Sequence, residues 1–163
     1  MSKKIYIGID NGVSGSIGII APDTTLFIPT PTKSQQDYTK AKKNVTRVDY
    51  DSLKDLLSSL KTEDVAIVGL ERPMVNPSRF VATASALRAL EATLICLEGL
   101  GMPHLFIDSK EWQKELLPKG TKGAPELKKA SLDIGNRLYP QFKENSLKDR
   151  DGLLIAHYLK NKY

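Results

Sequence analysis

Lys4-Ile5-Tyr6-Ile7-Gly8-Ile9-Asp10-Asn11-Gly12-Val13-Ser14-Gly15-Ser16-Ile17-Gly18-Ile19-Ile20 is the stretch whose reading decides the fold. A short apolar run ends on a carboxylate, small residues follow, and a second apolar run begins. That pattern predicts strand, tight turn and antiparallel strand. Ile5, Ile7 and Ile9 alternate with Tyr6, Gly8 and Asp10, so the first strand has two distinct faces. Asp10 stands at the strand end with little bulk around it, which leaves room for a metal-bound phosphate to approach. Asp and Gly are also common turn residues, so an ordinary Asp-initiated hairpin fits these residues as well.

The remaining segments extend the pattern. Ser16–Ala21 reads as the second strand, Pro22-Asp23 as a turn, and Thr24–Ile28 as a third strand of an antiparallel meander. Residues 29–48 are polar and lysine-rich without a clear period, and read as a long, mobile loop. Asp49 or Asp51 caps an expected helix with Tyr50, Leu53, Leu57 and Leu60 on one face. Val65–Leu70 is continuously apolar, as in a central parallel strand, and ends in Glu71-Arg72-Pro73. A long helix is expected over Phe80–Leu100, striped by Phe80, Ala84, Leu87, Leu90, Leu94 and Leu97. Its Ala82, Ser85, Ala86 and Ala89 form a smooth surface.

His104–Ile107 reads as a fifth strand. Asp108 or Ser109 opens a helix with Trp112 and Leu116. A basic loop, Pro118–Gly123, precedes a helix marked by Leu127, Ala130, Ile134 and Leu138. Ser146 is the expected cap of a last helix running toward Lys160. Strands followed by alternating helices and strands predict an α/β fold with a mixed sheet, in one domain over residues 1–163. Asp10 and Glu71 both end strands. If those strands are parallel neighbours, the two carboxylates meet at the edge where open sheets bind ligands.

Composition narrows the class. One cysteine, Cys96, excludes an internal disulfide and reads as a buried small hydrophobe. No apolar run was expected to approach membrane-span length, and no secretory leader is apparent, so a reducing, cytoplasmic setting is expected. Net charge is +5. Residues 31–50 carry +3 and residues 110–129 carry another +3, leaving −1 for the rest. Two basic clusters flanking acidic residues suit a polyanion such as nucleic acid.

Asp151 is the least expected residue. It shares the apolar stripe of Leu147, Leu154, Ile155 and Tyr158, where an unpaired charge is costly. A place at the helix rim, eased by the N-terminal dipole, is the simpler explanation. Asp149 lies about 200° from Asp151 around an ideal helix. A helix starting at Ser146 would keep the two apart; a later start would let Asp149 turn inward. Acids from two strand ends and one helix suggest a site for divalent metal, which prefers carboxylate, water and phosphate oxygens. His104 and His157 stand alone and read as packing residues. No zinc-protease helix motif, cysteine cluster or Walker loop is present.

The segments "IGIDNGVSGSIGII" (7–20), "VAIVGLERPMV" (65–75), "DSKEWQKELLP" (108–118) and "KDRDGLLIAHYL" (148–159) occur in order over nearly the whole chain. In them the chain resembles RuvC-type Holliday junction resolvases, in particular the small phage-type branch of the ribonuclease-H-like nucleases. The resemblance implies a mixed five-stranded sheet, three antiparallel strands then two parallel ones, flanked by helices. It implies metal ligands at Asp10, Glu71 and Asp151. Members usually carry a further acid or histidine where this chain has Lys148. Asp149 could take that role by a local shift, or Lys148 could act as a cation beside the phosphate.

Lys114 matches an active-site lysine of the family, and Lys128 or Lys129 another basic position near the scissile phosphate. Met74 falls where relatives carry a side chain that wedges into the junction centre. Arg72, Lys119, Lys122 and Lys148 complete the residues assigned to DNA. The implied activity is a homodimeric crossover junction endodeoxyribonuclease of recombination and repair. It would use two Mg²⁺ ions per site, with Mn²⁺ as a substitute, and have no membrane partner. The alternatives are a flap-, fork- or RNA-directed nuclease of the same fold and a non-catalytic junction-binding protein. A sugar-kinase or actin-like ATPase shares the opening strand–turn–strand, but 163 residues leave no room for its second domain.

Overall fold

A computed structural model describes residues 4–163. Strands β1 (Ile5–Asp10), β2 (Ser16–Ile20) and β3 (Thr25–Pro29) form the antiparallel meander. A two-stranded ribbon, β4 (Thr32–Gln36) and β5 (Asn44–Val48), follows, then α1 (Tyr50–Ser58) and β6 (Val65–Glu71). Helix α2 (Phe80–Gly99), β7 (His104–Ile107), α3 (Ser109–Leu116), α4 (Ala124–Leu138) and α5 (Asp151–Lys162) complete the chain. The main sheet runs β3-β2-β1-β6-β7, with β1, β6 and β7 parallel. This is the mixed five-stranded α/β sheet expected.

The two-residue period of β1 decides which helices cover which face. Ile5, Ile7 and Ile9 join Val68 and Leu70 of β6 in a core that also takes Leu53 and Leu57 of α1 and Cys96 and Leu97 of α2. Burying each such aliphatic side chain stabilises the fold by roughly 2 kcal/mol. The opposite face, holding Tyr6, Gly8 and Asp10, is covered by α3, α4 and α5, with Trp112, Ile155, Tyr158 and Leu159 buried together.

Gly8 is the register partner of both Gly18 and Gly69, so one row of glycines crosses three strands. Helix α5 lies across that row at backbone contact. A methyl added at Gly8 would meet Gly152 O and Ala156 N, and one at Gly18 the Leu153 backbone. Seven residues of α5 between Gly152 and Leu159 are buried.

Several expectations need correction. Residues 29–48 are not a loop, because β4 and β5 pair in register from Thr32–Val48 to Gln36–Asn44. Cross-strand backbone bonds do not require apolar alternation, so a polar ribbon leaves no period to read. The last helix starts at Asp151, not Ser146, because Arg150 sits at φ −124°, ψ 27° and the preceding segment wraps around its side chain. Leu147 therefore precedes the helix and packs beside Phe27 and Leu153.

The stripe expected on α2 is displaced in part. Leu97 is buried and Leu90 and Leu94 pack against the core as expected, but Phe80 and Leu87 are exposed, and Ala89, Thr93 and Cys96 are buried as well. A helix apolar on most sides does not declare its inner face by periodicity. For the same reason α2 is long and apolar enough to match a membrane span, at mean hydropathy 1.6, contrary to the sequence reading. Its buried side, with Ala89, Cys96 and Leu97, packs in the sheet's core.

Local capping follows the sequence more closely. Asp49, not Asp51, caps α1 through Ser52 N and Oγ. Asp108 and Glu111 form a reciprocal capping box on α3. Cys96 is buried and unpaired.

Candidate metal centre

Parity and register bring the first two acids together. Asp10 has the parity of Gly8, and Glu71 that of Gly69, so both face α5. They stand one step beyond the Ile9–Leu70 pair of the parallel strands. Between β1 and β2, Gly12 adopts φ +126°, and Gly15 packs so closely on the Asp10 carbonyl that a side chain there would collide with it. The small residues of this turn thus keep the space beside Asp10 open.

Helix α5 delivers the others. Its first residue is Asp151, and the Asp149 carboxylate accepts the Asp151 N–H at 3.0 Å. Ser16 Oγ, at the start of β2, accepts the Gly152 N–H at 2.9 Å. Two of the four free N–H groups of the first turn are satisfied this way, and the helix end is pinned to the strand opposite Asp10. Carboxylate oxygens of Asp10, Asp149 and Asp151 lie within 4.8 Å of one another. Glu71 borders this group, close enough to Asp10 for the two carboxyls to perturb each other, and the Trp112 Nε1–H donates to Glu71 Oε2 at 2.7 Å.

The electrostatics follow from crowding. Burial, then the neighbouring charges of Glu71, Asp151 and Asp149, hold the Asp10 carboxyl well above the usual carboxylate range. Burial and the Asp149 charge push Asp151 up to about 7, despite the Ser131 hydroxyl donating to it at 2.5 Å. Burial raises Glu71, and the Trp112 hydrogen bond partly offsets this. Among the described residues no lysine or arginine is ion-paired with any of the four. Partly buried oxygen donors, clustered without a counter-cation, fit a hard divalent ion, which would remove the repulsion that raises these groups.

The basic residues divide. Lys128 and Lys148 line, with Asp149 and the β1–β2 turn, a hollow of about 450 Å³ beside the carboxylates. Lys128 also exerts a pull on the Asp151 carboxyl. Lys129 lies over a different hollow, with Glu126 and Asp133. Lys114 and Lys119 line a third hollow, between α3 and α4, and Lys122, next in the chain after its lining residue Thr121, is exposed. Arg72 is paired with Asp108 at 3.1 Å and stacks on Phe106. Met74 is 85% exposed, with Val75, Phe80 and Val81 exposed nearby in the chain. His104 and His157 make ordinary hydrogen bonds, to Met102 O and Tyr139 Oη.

Four supporting residues escaped the sequence reading. Ser16 and Ser131 are small polar residues of common type, and nothing in their spacing marks them. Trp112 was read only as apolar, although a buried indole N–H requires an acceptor and Glu71 was a candidate. Arg150 is fully buried. Its guanidinium donates to the carbonyls of Phe142, Asn145, Leu147 and Asp149 and to Asn136 Oδ1, and it stacks on Phe27. Its own N–H donates to Ser131 Oγ, so the hydroxyl that holds Asp151 is itself held.

A β3-β2-β1-β6-β7 sheet with acids on two adjacent parallel strands and a third segment crossing beneath them defines a ribonuclease-H-like fold. Among solved structures, the chain is similar to RuvC of T. thermophilus in complex with a Holliday junction substrate. The TM-score is 0.59 at 13% identity, covering 98% of this chain and 95% of that one. It is likewise similar to a further structure of Thermus thermophilus RuvC, with TM-score 0.54, 15% identity and coverage of 97% and 95%. No protein-family model matches the sequence, and no curated protein matches it. At these identities the likeness is one of fold: the chain has the RuvC form of the ribonuclease-H-like fold.

Proposed function

We propose that this chain is a metal-dependent endonuclease that hydrolyses phosphodiesters in branched DNA, with the four-way junction as its main substrate. The observation that carries the reading is the cluster of Asp10, Glu71, Asp149 and Asp151 at one sheet edge, without a paired cation, in a fold shared with a junction-bound RuvC. Asp10, Asp149 and Asp151 would hold Mg²⁺ or Mn²⁺, with Glu71 completing a site of two ions. A divalent ion supplies acidified water and neutralises charge on the phosphate.

The chain's own residues do the rest. Asp149 takes the place of the fourth acid, since the late start of α5 turns it toward Asp10. Ser131, Ser16 and Trp112 hold the carboxylates in position. Lys128 and Lys148 offset the repulsion between the acids and an incoming strand and stabilise charge that develops at phosphorus. Lys114, Lys119 and Lys122 extend the basic surface. Lys129 and Arg72 have weaker claims, since one faces another hollow and the other is committed to Asp108. Met74 is exposed three residues after Glu71 and suits insertion at the crossover.

Two such domains in a homodimer would cut opposing strands of a junction with matching two-fold symmetry. The small-residue side of α2 is the candidate contact, where Ala82 is exposed and Ser85 and Ala86 are half-buried. Ala89 is withdrawn from it because it is buried within the protomer. A monomer by light scattering in the presence of junction would remove the paired-cutting element. The setting is the cytoplasm of a bacterial or phage-infected cell.

The deciding experiment is cleavage of a synthetic four-way junction beside flap, fork, linear duplex and RNA substrates, with Mg²⁺, Mn²⁺ or EDTA. Junction cutting that needs the metal is expected, and Asp10→Asn should bind the junction without cutting it. Full cleavage by Asp10→Asn, or binding by the wild-type protein with no cleavage under any metal, would refute the reading.

A further inference from the structure

We propose that the β4–β5 ribbon is a DNA arm that grips the duplex flanking the branch point, through its phosphates and without reading sequence. The inference rests on the proposed action on branched DNA, and adds a second contact that extends outward from the carboxylates along the ribbon.

The ribbon is built of residues that do little for the protein itself. All five residues of β4 are exposed, and on β5 only Val48 is buried. Lys33 stands directly opposite Arg47 in the register. Like charges facing each other across two strands destabilise a ribbon unless an anion lies over them. Lys40, Lys42 and Lys43 crowd the connecting turn, beside Tyr38, which is 99% exposed. Among the described residues none of these five cations is ion-paired. The acids nearby are engaged locally: Asp37 accepts from Thr39 N and Oγ1, and Asp49 caps α1.

The turn is nonetheless ordered. Asp37 N donates to Lys43 O at 2.8 Å, and Lys42, at φ +49°, donates its N–H to Thr39 O at 3.0 Å. An ordered basic tip costs less conformational entropy on binding than a free loop would.

Position favours DNA as the anion. The chain enters the ribbon from Pro29, which pairs with Ser16, which in turn pairs with Asp10. Thr30 N donates to Gly15 O, and Asp49 N closes the ribbon's base on Pro31 O. Val13 of the β1–β2 turn and residues 46–48 line one hollow. The ribbon's base therefore adjoins the candidate metal centre. Five strand residues span about 17 Å, or roughly five base pairs at 3.4 Å each. A two-stranded ribbon of this width fits the major groove, and its lysines reach phosphates on either side.

The test is equilibrium binding by anisotropy in EDTA, with the full-length protein and both a four-way junction and a linear duplex. One variant is Lys40→Gln with Lys42→Gln and Lys43→Gln; the other is Lys33→Gln with Arg47→Gln. For the triple variant, affinity should fall tenfold or more on both DNAs alike, and the slope of log K against log salt should shrink by about 2 to 3. The double variant should lose one to two in slope, with an unchanged or higher melting temperature for the free protein.

Affinity and slope equal to wild type would overturn the inference and leave the nuclease reading standing. Loss confined to the junction would also overturn it, since the ribbon would then read the crossover and not the arm. Wild-type protein that binds neither DNA would end both.

Discussion

Replacing Gly8 with alanine tests whether close packing of α5 on the sheet sets the candidate metal centre. The added methyl points at Gly152 O and Ala156 N, both backbone atoms of a helix whose inner surface is buried. No flexible side chain can yield, so the helix itself must withdraw by roughly 1 Å to reach normal van der Waals separation. Overpacking of this kind costs about 1–3 kcal/mol. Withdrawal would also carry Asp151 and Asp149 away from Asp10, and metal–ligand distances tolerate only about ±0.2 Å. Urea denaturation should therefore show a loss of about 2 kcal/mol, and Mn²⁺ binding followed by electron paramagnetic resonance should weaken at least tenfold. Gly99→Ala is the control, since nothing lies within 4 Å of its added methyl at the end of α2. If Gly8→Ala kept the wild-type midpoint and Mn²⁺ affinity, the argument that backbone contact positions the acids would fail.

Protonation supplies another test. Asp10, Glu71 and Asp151 are all raised above their ordinary values, Asp151 to about 7, so the folded state binds more protons than the unfolded chain between about pH 4 and 7. Their contribution to stability is thus greatest below pH 4 and declines as pH rises toward 7, by a few kcal/mol. Thermal melts in EDTA should show this decline, Mg²⁺ should raise the melting temperature most above pH 7, and a metal effect that is largest at pH 5 would contradict it. Arg150→Ala strands four carbonyls that its guanidinium now satisfies, at about 1 kcal/mol or more each, so a loss near 4 kcal/mol is expected by urea denaturation. Lysine at that position, with three donors at a single point, should recover little of it. Trp112→Phe removes the donor to Glu71 and should shift the acidic limb of the proposed metal-dependent cleavage to higher pH; an unmoved limb would show that this hydrogen bond does not tune Glu71.

The candidate site was legible where strand parity and strand ends carried it. Asp10 follows an Ile-x-Ile-x-Ile alternation and Glu71 ends a continuously apolar run, so each could be assigned to a strand end from its neighbours in the chain. Asp151 stood out because a carboxylate on an apolar stripe demands a reason. The role of Asp149 could not be resolved, because it turned on whether the last helix begins at residue 146 or later. That start is decided by Arg150, whose guanidinium organises four carbonyls from the preceding turn. Arginine is so commonly exposed that no local signal predicts its burial.

The ribbon was missed for the opposite reason. Its pairing is carried by backbone bonds while its side chains are free for solvent or a ligand, so no hydrophobic pattern announces it. The inner face of α2 was misjudged because an apolar helix offers several faces of similar hydropathy, and only the sheet it meets selects one.

By itself, then, the order of residues determined the five strands of the main sheet, most helices, a cap at Asp49 or Asp51 and another at Asp108 or Ser109, and the presence of acids at two strand ends, because each depends on neighbours within a few positions. Tertiary structure alone decided that Gly18, Gly8 and Gly69 align into a row, that α5 lies in it at backbone contact, and that Asp149 and Asp151 consequently meet Asp10. Those relations join positions up to 148 residues apart, from Gly8 to Ala156, and they are set by register and steric fit, which no local period encodes.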